Sequence, residues 1–179
     1  MLSDPDAHGT ADAPVYWGKY RGTVENPVDP QGLGRVQVSV PDVLGRGTMA
    51  WAMPALPYGG SGKGFFAIPP QGANVWVEFE RGDPDYPIWT GCFWDLGTSP
   101  VDAPPIAHTK VVLKSEKLLI DVNELAPTPH VFKLEVDAGT GKAAIEVTPA
   151  GLKLSFGGST IELTQAGVMI NGTNLVVMK

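Results

Sequence analysis

Residues 74–79 read Asn-Val-Trp-Val-Glu-Phe, a stretch in which apolar side chains occupy every second position and Trp76 falls on the polar phase. Alternation with a period of two is typical of a β-strand with one buried face. The same period occurs in residues 35–40, where Val36, Val38 and Val40 alternate with polar residues. Each stretch therefore predicts a half-buried strand.

The sequence around these two strands predicts a small barrel. Residues 20–24 form a weaker strand pattern and residues 88–94 an apolar one, and the segments between the strands are rich in Gly and Pro. Roughly five short strands within about 80 residues, with no helical period, favour a closed barrel over an α/β fold. We therefore expect an all-β protein with an OB-like barrel over residues 15–95, preceded by a tail at residues 1–14.

The second half of the chain has a different pattern. Residues 96–108 are a predicted linker containing Pro100, Pro104 and Pro105, and in residues 109–179 strands of about five residues alternate with Gly-containing turns. The apolar positions that should share one face of these strands are Ile145, Val147, Leu152, Leu154, Phe156, Ile161, Leu163, Val168 and Ile170.

Such strands would form a ribbon with one apolar face and unpaired edges, which is marginally stable alone. Because the sequence predicts no helix to cover that face, winding of several copies about a shared axis is the expected solution. A single-chain β-solenoid is the alternative.

Composition limits the classes of partner. The chain has 179 residues with a formal net charge of −6, which opposes nucleic-acid binding because that binding depends on clustered Lys and Arg. No apolar run approaches the length of about 18 residues that spans a bilayer. Residues 1–14 lack the basic and apolar regions of a secretory signal peptide, so none is expected.

No catalytic, cofactor or metal site is expected, and we predict a protein that is not an enzyme. Asp83 and Asp85 alternate with Gly and Pro and are interpreted as turn residues rather than a catalytic carboxylate pair. His8, His108 and His130 lack the spacing that brings imidazoles onto one metal ion. Cys92 lies in an apolar stretch and is interpreted as a small buried hydrophobic residue.

Three stretches carry a resemblance to a known family. The stretches are residues 18–24 (Gly-Lys-Tyr-Arg-Gly-Thr-Val), residues 29–38 (Asp-Pro-Gln-Gly-Leu-Gly-Arg-Val-Gln-Val) and residues 70–87, which contain Arg-Gly-Asp-Pro-Asp-Tyr-Pro. They resemble the OB domain of phage baseplate spike proteins and VgrG proteins. Residues 159–172 resemble the repeats of the triple-stranded β-helix in the same proteins.

The resemblance implies a homotrimeric spike in which an OB-like barrel precedes an intertwined β-helix, or β-prism, over residues 109–179. The spike would sit on a hub protein at its barrel end and cap the inner tube of a contractile phage tail, secretion system or extracellular injection particle. It would assemble in the cytoplasm and contact the target membrane transiently as it pierces it.

Two further partner predictions follow from the resemblance. The chain ends without the His-x-His pair that binds iron at the apex of some spikes, so a separate tip protein of the PAAR type is expected, with Val176 and Met178 as its docking residues. The outward Trp76 is interpreted as a hub or subunit contact, whereas most of Trp51, Trp89 and Trp94 are expected in the core.

The alternative function is a binding module, in which an OB-fold on a β-rich stalk recognises carbohydrate or nucleic acid. Binding to glycans or oligonucleotides at physiological salt would distinguish this class from a structural spike.

Overall fold

A computed structural model describes residues 14–101, 107–125, 130–172 and 174–178, without the side chains of Val176 and Met178. Contacts divide the chain into two compact units between Trp94 and Asp95. No helix in the described ranges is long and apolar enough to span a membrane.

The first unit is a closed barrel of five strands in the order β1-β2-β3-β7-β6. All neighbouring strands are antiparallel except β3 and β7, which pair in parallel and close the barrel. A single-turn helix and a two-stranded hairpin lie in the connections. The elements are β1 (Tyr20–Asn26), β2 (Val36–Ser39), α1 (Pro41–Leu44), β3 (Met49–Pro54), β4 (Gly59–Gly60), β5 (Lys63–Gly64), β6 (Asn74–Phe79) and β7 (Pro87–Cys92).

The barrel interior contains the inward positions of these strands. Val75, Val77 and Phe79 of β6 are buried, as their alternation predicts. They pack with Val24, Val36, Val38, Val40, Ala52 and Trp89 in one core. The predicted all-β class and OB-like barrel are confirmed.

Two expectations about single residues in the barrel unit are wrong. Of the three tryptophans mostly expected in the core, only Trp89 lies there, and its Nε1 donates to the Gly34 carbonyl oxygen over 3.2 Å. Trp51 is only half-buried, and Trp94 is 65% exposed because it lies beyond the end of β7. Cys92 is also exposed, because it is the last residue of β7, where the strand leaves the barrel core.

The second unit is an eight-stranded antiparallel sheet in which every strand pairs with its neighbours in sequence. Its strands are β8 (Lys110–Lys114), β9 (Leu118–Asn123), β10 (Phe132–Asp137), β11 (Lys142–Thr148), β12 (Gly151–Phe156), β13 (Ser159–Thr164), β14 (Gly167–Ile170) and β15 (Leu175–Met178). The winding of three such sheets into a prism remains a prediction.

Candidate functional site

The candidate site is one face of the C-terminal sheet, because the strand register places every predicted core residue on the same side. Ile145, Leu154, Ile161 and Ile170 lie opposite one another in a row across β11 to β14. The adjacent row consists of Val147, Leu152, Leu163 and Val168. Phe156 begins a third row opposite Ala143. We call this surface the apolar face.

The apolar face continues over strands that sequence reasoning did not include. Ile145 pairs with Leu134 of β10, which pairs with Ile120 of β9, which pairs with Leu113 of β8. At the other end, Ile170 pairs with Leu175 of β15. One continuous apolar surface therefore crosses all eight described strands.

Within a single chain this surface is only partly covered. Phe156 is 54% exposed, and Ile161 and Leu163 are each 40% exposed. A groove of about 520 Å³ runs along it and is lined mainly by apolar side chains, including Leu134, Ile145 and Ile161. An exposed apolar surface of this extent is characteristic of an interaction site.

The opposite face of the same sheet carries charges of alternating sign. A row across β9 to β13 consists of Asp121, Lys133, Glu146, Lys153 and Glu162. Lys153 Nζ lies 2.9 Å from Glu162 Oε1. Opposite charges on neighbouring strands support the pairing. The row is partly exposed to water over β10 to β13, whereas Asp121 at its β9 end is buried and contacts Lys110 and His130.

Glu135 shows how strongly the charges on that face are paired. Lys133 and Lys142 contact its two carboxylate oxygens at 2.8 and 2.7 Å. Hydrogen bonds from Lys133 and Lys142 lower the pKa of Glu135 to about 2. The carboxylate is therefore ionised at neutral pH, and the two faces of the sheet have opposite chemistry.

The hairpin turns determine which side chains reach each face. In the turns after β11 and β13, the hydroxyl oxygens of Thr148 and Thr164 accept hydrogen bonds from the N–H groups of Ala150 and Ala166, at 3.1 and 3.2 Å. In the turn after β14, Asn171 has a φ of +49° and its Oδ1 accepts from the Thr160 N–H at 2.8 Å. These bonds fix the register, and a one-residue slip would turn the apolar set to the other face.

Trp76 lies on the outer surface of the barrel, between Arg21 of β1 and Gly91 of β7. Its ring centroid is 4.7 Å from that of Phe93, and the carbon of the Arg21 guanidinium lies 5.1 Å from the Trp76 centroid. The outward Trp was visible in the sequence, whereas Arg21 and Phe93 were not singled out. Its role as a hub or subunit contact remains a prediction.

The remaining candidate residues occupy structural positions or lie outside the described residues. Asp83 Oδ1 accepts a hydrogen bond from the Asp85 N–H at 3.0 Å, as expected of a turn residue. His130 Nε2 contacts Asp121 Oδ2 at 3.1 Å. Across the part of the chain with described coordinates, no group of three His, Cys, Asp or Glu side chains is arranged to hold a metal. His8 and the side chains of Val176 and Met178 lie outside the described residues.

Comparison with known proteins identifies the barrel. Residues 20–94 match the family described as the type VI secretion system/phage-baseplate injector OB domain. Over 87 residues the chain is 39% identical to the actin cross-linking toxin VgrG1 of Vibrio cholerae, a match that covers 46% of this chain and 8% of that protein. Over 100 residues it is 36% identical to the type VI secretion system spike protein VgrG3 of the same species, covering 50% of this chain and 10% of that protein.

These matches confirm the resemblance to VgrG-like baseplate and spike proteins. The chain spans a tenth or less of the length of each of these two relatives. The activity named for VgrG1 is therefore a property of that protein.

Proposed function

We propose that this protein is a structural spike of a contractile injection machine, in which three copies associate through the apolar face. The observation that carries the proposal is the continuous apolar surface across eight strands, in a chain whose first unit matches an injector OB domain. The number three comes from the resemblance of residues 159–172 to triple-stranded β-helix repeats. The charged face supports the proposal, because its ion pairs over β10 to β13 remain in contact with water while the apolar side chains of the same strands are left partly exposed.

Burial of the apolar face favours association of the copies. Complete burial of a Leu, Ile, Val or Phe side chain contributes about 1.5–3 kcal/mol, and close to half of that gain is still available at the most exposed positions. Five of the nine core residues predicted from sequence are 37–54% exposed and the other four less, so the gain is on the order of 5 kcal/mol per chain. This gain is of the same order as the cost of bringing the copies together.

The finer assignments belong to the same proposal. The barrel end would seat on a hub protein, and the C-terminal end would carry a PAAR-type tip protein at Val176 and Met178. Assembly would take place in the cytoplasm, and the finished spike would pierce the target membrane. The similarity to VgrG3, which is named as a spike protein, supports this role.

Substitutions on the two faces of β13 test the proposal. Ile161→Asp or Leu163→Asp would place one carboxylate per copy in an apolar interior without a partner, so we expect loss of assembly. Glu162→Asp is the matched control, because it places an aspartate between Ile161 and Leu163 but on the opposite, charged face of β13. Light scattering after gel filtration should give about three times 18.9 kDa for the unmodified chain and for the control.

A monomeric unmodified chain at micromolar concentration would contradict the trimer and favour the alternative, an OB-fold binding module. Equal assembly of the Ile161→Asp chain and the control would show that the apolar face is not the interface.

A further inference from the structure

The outer surface of the barrel carries a compact group of one cation and two aromatic rings, Arg21, Trp76 and Phe93, which we call the Arg21 cluster. The guanidinium carbon lies 5.1 Å from the Trp76 centroid and 4.7 Å from the Phe93 centroid. The two rings are 4.7 Å apart and tilted by 40°. All three sides of this triangle are thus close to 5 Å, and the guanidinium lies against both rings.

The position of the cluster follows from strand pairing. Arg21 and Trp76 are direct neighbours across β1 and β6, and Gly91 of β7 lies opposite Trp76 on the other side. The absence of a side chain at Gly91 leaves Trp76 without a cross-strand neighbour on β7. Phe93 is held near by its N–H, which donates to the Asn74 carbonyl oxygen over 3.2 Å. Backbone bonds of the barrel therefore place Trp76 and Phe93 on neighbouring chain segments.

Arg21 differs from its neighbour Lys19 in its ion pairing. Its neighbour Lys19 is already paired, with Nζ 3.0 Å from Glu78 Oε1 and 2.8 Å from Thr90 Oγ1. Arg21 is exposed, and no carboxylate among the described residues pairs with it. A guanidinium packed against aromatic rings can still donate two parallel N–H bonds to one carboxylate.

We propose that the Arg21 cluster is a docking site for an Asp or Glu side chain on a protein partner of the barrel. A carboxylate would accept two hydrogen bonds from the fixed guanidinium, while the rings bury apolar surface around it. Arg and Trp are the residue types that most often dominate binding at protein interfaces. Because two rings already pack against the guanidinium, less side-chain entropy is lost on binding than for an arginine without such contacts.

The charges favour a carboxylate on a protein over a nucleic acid. A phosphate backbone requires several clustered cations, whereas Lys19 is engaged by Glu78 and the chain carries a net charge of −6. One oriented guanidinium is sufficient for a single carboxylate. The identity of the partner as the hub protein rests on the proposed function. The preference of the site for a carboxylate does not depend on that function.

The test is selection from a library of random displayed peptides on the full-length chain, followed by affinity measurement with the selected peptides. We expect enrichment of Asp and Glu, and we expect the same peptide with Asn and Gln in their place to bind poorly. Arg21→Gln should weaken binding by about tenfold or more, the equivalent of one charge-assisted bidentate contact. Trp76→Leu should also weaken binding, although the charge of Arg21 remains. The Arg21→Lys chain should bind the peptide more tightly than the Arg21→Gln chain but less tightly than the unmodified chain.

Arg46→Gln is the control, because it removes the same charge from an exposed arginine in the loop after α1. This substitution should leave peptide binding unchanged. Melting and light scattering on each variant separate loss of docking from loss of folding or of the trimer. Selection without acidic enrichment, no selected peptide, or equal binding to the Arg21→Gln chain would overturn the proposal. If the unmodified chain binds single-stranded DNA at physiological salt and Arg21→Gln abolishes that binding, the Arg21 cluster is a nucleic-acid site and the carboxylate proposal is wrong.

Discussion

At the scale of the residue, the carboxylate of Asp29 organises the whole connection between β1 and β2. Its oxygens accept hydrogen bonds from the N–H groups of Gln31, Leu33 and Arg35 at 3.0, 2.8 and 3.2 Å. Arg35 Nη2 donates to Asp29 at 2.8 Å, and the Arg35 guanidinium lies 5.3 Å from the Trp51 centroid. The hydrogen bond from Arg35 holds the pKa of Asp29 well below its usual range.

This arrangement predicts a pH-dependent contribution of Asp29 to stability. A carboxyl whose pKa is lowered by folding stabilises the native state above its unfolded pKa of about 4, and this contribution is lost as pH falls toward the folded value. Asp29→Asn should therefore lower the melting temperature at pH 7, and the difference from the unmodified chain should shrink at about pH 3. Asp42→Asn, at an exposed position in α1, is the control and should change little at either pH. An equal difference at both pH values would show that the charge of Asp29 is not the cause.

At the scale of the element, the sequence predicts strands well where alternation is strict and poorly elsewhere. In β12 and β13 the apolar side chains keep to one phase, and in residues 74–79 Trp76 alone departs from it, so the buried or apolar positions of these strands could be predicted. In residues 110–114 and 118–123 apolar side chains occupy both phases, as in Val111 and Val112, and the face they share with β11 was missed. When the side chains of both phases are apolar, the sequence period does not indicate which face of the strand is buried.

Contacts between distant segments could not be predicted from local pattern. Arg21 of β1 lies close to Phe93, which follows β7, because β6 pairs with β1 on one side and with β7 on the other. The Arg21 cluster depends on strand order, which a single sequence does not specify. Turn residues, by contrast, were recognisable, because Asn-Gly and Gly-Gly pairs have conformational preferences of their own.

The hairpin of β12 and β13 gives a prediction at this scale. Gly151 pairs with Thr164, and a Cβ at Gly151 would overlap the carbonyl oxygen of Leu163 on the neighbouring strand. Gly151→Ala should therefore destabilise the sheet by about 1–3 kcal/mol through displaced backbone. Gly158→Ala is the matched control in the turn of the same hairpin, where an added Cβ meets nothing within 4 Å. Denaturant unfolding measures both variants, and equal stability of the two would contradict a steric role for Gly151.

At the scale of the whole molecule, the two units differ in whether they are complete. The barrel closes on itself and buries a core of its own, with Val24, Val36, Val38, Val75 and Val77 fully buried. The C-terminal sheet is open and leaves one apolar face partly exposed. This difference predicts that self-association depends on the second unit.

A chain ending at Leu96 tests that dependence. It retains all five strands of the barrel and should stay folded, because each of its core residues lies before that point. It should lose the trimer, since it lacks the apolar face, and light scattering should give the mass of one shortened chain. The full-length Ile161→Asp chain is the matched comparison, because it keeps the second unit but should also be monomeric, with a barrel that melts at the temperature of the shortened chain. If the chain ending at Leu96 forms a trimer as tight as the full chain, the barrels themselves are the main interface, and the apolar face must be covered by something other than two further copies.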